Sequence, residues 1–536
     1  MSSHSFTNAV FFSPHSFIYA HNLAEYQLAK ILFSNGINIS VVQCDKDFSR
    51  FCTCMEKIPL DALSSDSHKL KICEKCVSMR DCLWNTEEFV RYSSQDFALQ
   101  ENVKVMEQIA NIGNIADLLA FDYKQIPVGK ISSYETLIKF KMTDFELEPF
   151  QINYWKTSLI NTIKTVDLAF AFFSRNQDVD LCFTYSPQYC VTGAFSAVAE
   201  KLGTKTFFVE GSSNDYQRYS HLRIWNWTKF GLRNPFINDP RFSSYKLKFA
   251  HLVPVILFTR RLSRATSFSV YSVAKTRINR DSYLNLFSIA RHSKIMLMML
   301  SSYDEVFSGV SIGRLQRNWM DGDVFSTQED WVLSTMRWVS ERPDLHCIIR
   351  IHPRMLPNGR DKVVTDKFHK LRLLFENLPR NVTLDLPERG VSIYDHFRHI
   401  DFATTGWSFT GIEALLKGIP VVSYDEKIVT FPREIHLSGN SAEEYFSNLD
   451  KVLLVKKSWQ ISLRAFRWLS FFYNASTIRV GGRIQDRVRL LNLPFFRGML
   501  FRARRNFKLN SLILRVEKKP KFNQSDLEKL FKTLQG

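Results

Sequence analysis

Asp401-Phe-Ala-Thr-Thr-Gly-Trp-Ser-Phe-Thr-Gly-Ile-Glu-Ala-Leu-Leu-Lys-Gly-Ile-Pro420 reads as a strand, a turn rich in hydroxyls and glycine, and a helix. The apolar start predicts a strand over Ile400 to Thr404, and the apolar spacing from Thr410 to Leu416 predicts a helix. Lys417-Gly-Ile-Pro420 ends that helix and launches a strand over Pro420 to Ser423. Strand, helix and strand in this order form a βαβ unit, which implies a parallel sheet. Thr404, Thr405, Gly406, Ser408, Thr410 and Gly411 surround the helix start, where unpaired N–H groups and the positive dipole end favour an anion. Glu413 on the first turn suits a capping box or a bond to a ribose hydroxyl. The plain alternative is an ordinary capped βαβ turn.

The same rhythm extends outward in both directions. Upstream lie a strand at Ile295 to Leu300, a helix at Glu329 to Glu341, and strands at Cys347 to Ile351 and Val382 to Leu384. The Ile348-Ile-Arg-Ile-His-Pro353 run places Arg350, His352 and Pro353 at a strand's carboxyl end, where open α/β sheets hold ligands. His352 could donate to a phosphate there, or merely cap a carbonyl. Ser301 and Ser302 follow another strand and could offer hydroxyls from the opposite side. Near the N-terminus, strand Asn8 to Ser13, helix His21 to Phe33, the stop Asn35-Gly36 and strand Ile37 to Val42 open a second α/β series. It continues through strand Val179 to Tyr185, helix Ala194 to Lys201 and strand Lys205 to Val209. The expected organisation is an α/β domain over 1–231, a basic connection over 232–291, a nucleotide-binding α/β domain over 292–441 and a helical basic tail over 442–536.

"IRIHP", "ATTGWSFTGIEALLKGIPVVSY" and the preceding "WVLSTMRWVSERPD" together resemble the bacterial capsule polysaccharide biosynthesis glycosyltransferases of GT-B fold. These include the retaining β-Kdo transferases. The resemblance covers about Ser301 to Tyr424 and reaches the N-terminal half only in outline. It implies two Rossmann-like domains with parallel sheets facing a cleft, and a CMP-sugar donor bound by the second. By motif, His352 and Pro353 would contact the cytidine nucleotide, Ser408, Thr410 and Gly411 its phosphate, and Glu413 the ribose. Thr405, Arg350, Ser301 and Ser302 complete the candidate donor site. The expected acceptor is a growing surface glycan, free or lipid-linked. The teichoic-acid polymerases, CDP-polyol phosphotransferases, are a second resemblance. They carry an aspartate before the serines, where this chain has Thr404 and Thr405. An inactive glycan-assembly scaffold is a third reading.

The resemblance leaves the catalytic group to the N-terminal domain. His21 and Glu25 share a helix face at i, i+4 beside the first strand. Glu210 and Asp215 lie after the strand Lys205 to Val209, where a carboxylate suits a nucleophile or base. No catalytic metal is expected. Six of the nine cysteines fall between Cys44 and Cys82. Cys52, Cys54, Cys73 and Cys76 could close a structural zinc site or hold an iron–sulfur cluster, the alternative being an irregular insertion with reduced thiols.

The chain of 536 residues is 45% hydrophobic and 23% charged, enough for two to four globular domains. A net charge of +18 favours a polyanionic partner. From Leu491 to Phe522 cations alternate with Phe, Leu and Ile, and Glu517 is the only acid, which suits an anionic membrane surface. No nucleic-acid signature accompanies it. The alternative is a tail that packs back on the fold with a solvated basic face. With neither a signal peptide nor a membrane-length apolar run, the expected location is cytoplasmic, either free or peripheral on the membrane's inner face.

Overall fold

A computed structural model describes residues 6–50, 52–56, 64–97, 102–226, 236–267, 270–315, 323–358, 363–480 and 524–535. The chain divides into two units: Met1–Thr136, Phe145–Lys229 and Ser476–Gly536 form the first, Leu137–Asp144 and Phe230–Ala475 the second. The fold is α/β, each unit built on its own parallel-dominated sheet.

In the first unit the strands are β1 (Asn8–Phe12), β2 (Asn38–Gln43), β3 (Val90–Ser93), β4 (Leu181–Thr184), β5 (Lys205–Gly211) and β6 (His221–Trp225). The order β3-β2-β1-β4-β5 is parallel throughout, and β6 then folds back antiparallel on β5. The strand sequences are apolar because both faces are covered. Val10, Phe12 and Val42 belong to one core with the helix Pro149–Arg175, while Ala9, Phe11 and Val41 belong to another with α1 (Tyr19–Phe33). Gly36, at φ +86°, lets α1 end and turn directly into β2.

The second unit has β7 (Lys294–Met299), β8 (Leu345–Arg350), β9 (Val382–Asp385), β10 (Phe402–Thr405), β11 (Val421–Ser423) and β12 (Leu437–Ser438). All are parallel, in the order β9-β8-β7-β10-β11-β12. Both sheets therefore reverse strand order once, between β1 and β4 and between β7 and β10. Such switch points open the crevice in which doubly wound folds bind ligands.

Two expected boundaries fall differently. Residues 236–291 are part of the second unit, where helix Phe249–Ser263 packs on helix Trp459–Ala475 and Thr276 and Arg277 donate backbone N–H groups to Asp395. The segment after 442 is shared: helices Ala442–Leu453 and Trp459–Ala475 stay with the second unit, whereas β13 (Ile478–Arg479) pairs with β6 of the first. Helix Gln524–Gln535 buries Leu530, Phe531 and Leu534 in the first unit's core. The basic run Leu491–Phe522 lies outside the described residues. Among the described residues no helix is long and apolar enough to cross a membrane.

The cysteine-bearing insertion is helical where it is described: α2 (Thr53–Glu56) and the 19-residue α3 (Asp66–Trp84). Cys73 and Cys76 therefore sit one turn apart on one helix face.

Candidate functional site

The carboxyl ends of β7, β8 and β10 surround a pocket of about 390 Å³ in the second unit. Arg350, His352, Pro353, Ser301, Ser302, Ser408, Thr410 and Glu413 all line it. Residues from 301 to 413 are thus gathered at the switch point between β7 and β10.

His352 opens the short turn Pro353–Met355, and its Nδ1 accepts the Arg354 backbone N–H at 3.2 Å. An imidazole that accepts at Nδ1 carries its proton on Nε2, so the ring keeps one donor. Burial, with Arg354, Arg350 and Lys141 nearby, lowers its pKa to about 3, so the ring is neutral at pH 7. The Arg354 side chain fixes that turn. Its Nε donates to buried Asp304 at 2.7 Å and its Nη1 to the Tyr271 hydroxyl at 3.1 Å. Ser302 also donates to Asp304. Ser301 is held through its backbone by Gln328, whose Oε1 accepts its N–H at 2.8 Å, while its buried hydroxyl has no hydrogen-bond partner.

Glu413 receives the Tyr394 hydroxyl. Burial raises the carboxyl to about pKa 7, opposed by that hydrogen bond and by Lys417. A group poised there switches charge near neutrality. Trp407 lines the same pocket and meets Tyr303 edge-on at 5.0 Å.

Three expected roles change. Thr405 faces the core, fully buried, and its Oγ1 donates to the Met299 carbonyl at 3.3 Å. Gly411 is also turned away: a Cβ there would stand 2.7 Å from the Phe431 ring and 3.0 Å from Thr405 Cγ2. The packing of this helix against Phe431 and Thr405 by itself requires glycine there. Arg350 lines the pocket, but its guanidinium pairs with buried Asp385, which also accepts from His396 Nε2 at 2.9 Å.

The helix start is less open than expected. Thr410 N–H bonds Ser408 Oγ at 3.3 Å, Gly411 N–H bonds the Ser408 carbonyl at 3.1 Å, and Ile412 N–H bonds that of Phe409 at 3.1 Å. The helix Thr410–Leu415 has only six residues, so its dipole is small. What the turn offers the pocket is the pair of hydroxyls on Ser408 and Thr410, which bond each other.

In the first unit the switch point between β1 and β4 holds Glu25, 2% exposed. Ser13 Oγ bonds one carboxyl oxygen and the Tyr185 N–H donates to the other at 3.0 Å. His21 lies flat on the Tyr185 ring, centroids 3.3 Å apart. Burial raises Glu25 to about pKa 8 against those two hydrogen bonds. Glu210 is within β5, directly opposite Arg223 of β6, whose Nη1 donates at 3.2 Å. Burial raises its pKa, with Arg223 and Arg218 opposing. Burial, then Glu210 and Tyr189, push the Tyr185 phenol up, so Glu25, His21 and Glu210 gather around one tyrosine. Asp215 falls in the turn between β5 and β6.

No family model matches the chain, and no curated protein matches it. Among solved structures it is similar to KpsC of Thermosulfurimonas dismutans, a beta Kdo 2,4 transferase, at 13% identity and a TM-score of 0.30, over 54% of this chain and 80% of that one. A UDP-N-acetylglucosamine 2-epimerase of Listeria monocytogenes, so described provisionally, gives 9% identity and 0.27, over 88% and 94% of the two chains. The calicheamicin glycosyltransferase CalG4 gives 10% and 0.25, over 91% and 98%. Likenesses this weak assign neither activity nor substrate.

Sequence reasoning missed Tyr394, Tyr271, Trp407, Arg354 and Asp304. Arg354 directly follows His352-Pro353, Asp304 lies two residues past Ser302 and Trp407 stands inside the hydroxyl-rich turn itself; Tyr271 and Tyr394 gave no local signal. Among the described residues no group of three His, Cys, Asp or Glu side chains is arranged to hold a metal ion.

Proposed function

We propose that this chain is a glycosyltransferase that binds a nucleotide-sugar donor in the second unit's pocket and transfers the sugar to a surface glycan. The observation that carries the reading is the neutral His352 ring, with Nδ1 occupied and Nε2–H left as a donor in a pocket lined by Ser301, Ser408, Thr410 and Glu413. A neutral donor next to hydroxyls suits a phosphate whose charge grows as the sugar–oxygen bond breaks. The pocket's guanidinium groups are already paired with Asp385 and Asp304, so recognition rests on hydrogen bonding more than on net charge.

In this reading His352, Ser408, Thr410 and Ser301 hold the phosphate, and ionised Glu413 accepts a ribose hydroxyl. Trp407 offers an aromatic wall to the base. The motif resemblance supports CMP as the nucleotide and Kdo or a related acidic sugar as the donor sugar. Glu25, with its pKa near 8, is assigned proton exchange with the acceptor hydroxyl. Glu210, held by Arg223, is assigned a positioning role.

Titration calorimetry with CMP, UDP and GDP, followed by a donor screen, tests this. CMP binding with CMP-sugar turnover supports it. CDP-polyol turnover indicates a phosphotransferase, and tight nucleotide binding without turnover a scaffold. Unchanged nucleotide binding in His352→Ala overturns the site. For a lipid-linked acceptor, the basic run Leu491–Phe522 is proposed to hold the enzyme at an anionic surface, which co-sedimentation with anionic and neutral vesicles tests.

A further inference from the structure

Five of the nine cysteines come together in the first unit. Cys44 follows β2, Cys52 and Cys54 lie at the start of α2, and Cys73 and Cys76 share a face of α3. With His15, from the loop after β1, they line a cavity of about 20 Å³. A single water-sized sphere needs roughly 10–15 Å³, so the cavity suits one atom-sized occupant. The Cys54 side chain is within hydrogen-bonding reach of both Cys52 and Cys76. Cys76 Sγ also accepts the Phe17 backbone N–H at 3.3 Å, which ties the β1–α1 loop to the thiols. His15 is 4% exposed, and neither of its ring nitrogens has a hydrogen-bond partner.

A cavity lined by soft sulfur donors, with an unpaired buried imidazole beside it, asks for a cation that prefers thiolates. A cavity this small favours a single ion over a multi-atom iron–sulfur cluster. We propose that Cys52, Cys54, Cys73 and Cys76 bind a single tetrahedral zinc ion in this cavity, clamping α2 and α3 onto the Ser13–Phe17 loop.

Binding replaces four S–H bonds by four S–Zn bonds and releases four protons to solvent, giving a site of net charge −2. Lys46 lines the cavity and can balance part of that charge, while Arg80, which donates to the Cys44 carbonyl at 3.1 Å, is already paired with Asp81. As the thiols stand they are not drawn onto one point. The metal–sulfur bonds supply the free energy that closes them. His15 then finds an acceptor, because a zinc-bound thiolate takes an N–H readily. The loop so fixed leads directly into α1, which carries His21 and Glu25. The ion's role is structural, and its ligands all belong to the first unit.

The test uses the full chain, purified reduced from zinc-supplemented medium. Elemental analysis should find one zinc per chain. After chelation, added Co²⁺ should give the intense visible bands of a tetrahedral site with thiolate charge transfer. Cys73→Ser and Cys76→Ser should lose the metal, while Cys44→Ser keeps it at full stoichiometry and His15→Ala keeps it with weaker affinity. Nucleotide binding by the second unit serves as the folding control, so loss of zinc is separable from global misfolding. No stoichiometric zinc, octahedral cobalt spectra, an iron–sulfur chromophore or a disulfide among these cysteines would each overturn the proposal. So would equal zinc loss in Cys44→Ser and Cys73→Ser.

Discussion

The carboxyl group of Glu25 bridges two strands of the first sheet, accepting the Tyr185 backbone N–H at 3.0 Å after β4 while bonding Ser13 after β1. A carboxylic acid thus ties the carboxyl ends of β1 and β4 together at the sheet's switch point. With its pKa raised to about 8, the folded chain keeps a proton that the unfolded chain loses near pH 4.5. The sign follows from linkage: the folded state binds more protons between those values, so this contribution to stability is full at low pH and declines as pH rises toward 8. Glu25→Gln, which carries no charge to bury, should lose less thermal stability than wild type between pH 5 and pH 8. Midpoints that fall in parallel would show Glu25 ionised and ordinary. The same variant should lose transferase activity if Glu25 exchanges the acceptor proton.

For His352, deletion of one hydrogen bond to a charged phosphate costs about 1.5–3 kcal/mol. His352→Ala should therefore weaken CMP binding by roughly 10- to 100-fold, at about 1.4 kcal/mol per factor of ten. Calorimetry measures this directly, with the thermal midpoint reporting any loss of fold.

Glu413 gives the binding reaction a pH dependence. If its ionised form accepts the ribose, nucleotide affinity should rise as pH passes through about 7. Tyr394→Phe removes a hydrogen bond that favours the carboxylate, so the rise should move to higher pH. An affinity profile flat from pH 6 to pH 8 in both proteins would remove Glu413 from the site.

The two glycine functions are separable at Gly411. An added methyl meets Phe431 and Thr405, and overpacking of this kind costs about 1–3 kcal/mol. Gly411→Ala should lower the thermal midpoint while leaving nucleotide affinity of the folded protein near wild type. A stable variant with lost affinity would return Gly411 to the binding surface.

Asp385 is fully buried between Arg350 and His396, and its pKa is lowered despite that burial, chiefly by the His396 hydrogen bond and Arg350. Asp385→Ala strands a buried guanidinium and should destabilise the second unit by about 3–5 kcal/mol, which denaturant unfolding would show. Little change would mean Arg350 finds solvent or another acceptor.

The order of strands and helices in the second unit was legible in the chain because apolar periodicity is a local property. Strands β7, β8, β9, β10 and β11 fell within two residues of their expected bounds, and His352 falls at a strand's carboxyl end as read. Gly36 and Gly418, both with positive φ, end helices where the sequence punctuates them. Local pattern also placed Ser301, Ser408, Thr410 and Glu413 at strand ends or helix starts.

Which atoms of those residues are available was settled only by tertiary structure, because hydrogen-bond partners come from far along the chain. Nothing near Arg350 announces Asp385, and nothing near Glu413 announces Tyr394, 19 residues away. The glycine-rich turn suggested open N–H groups, yet the backbone folded so tightly that Thr410, Gly411 and Ile412 satisfy themselves. The cysteines show the same division. Their spacing announced a thiol-rich segment, and the packing of α3 against the β1–α1 loop decided that five of them, with His15, surround one atom-sized cavity.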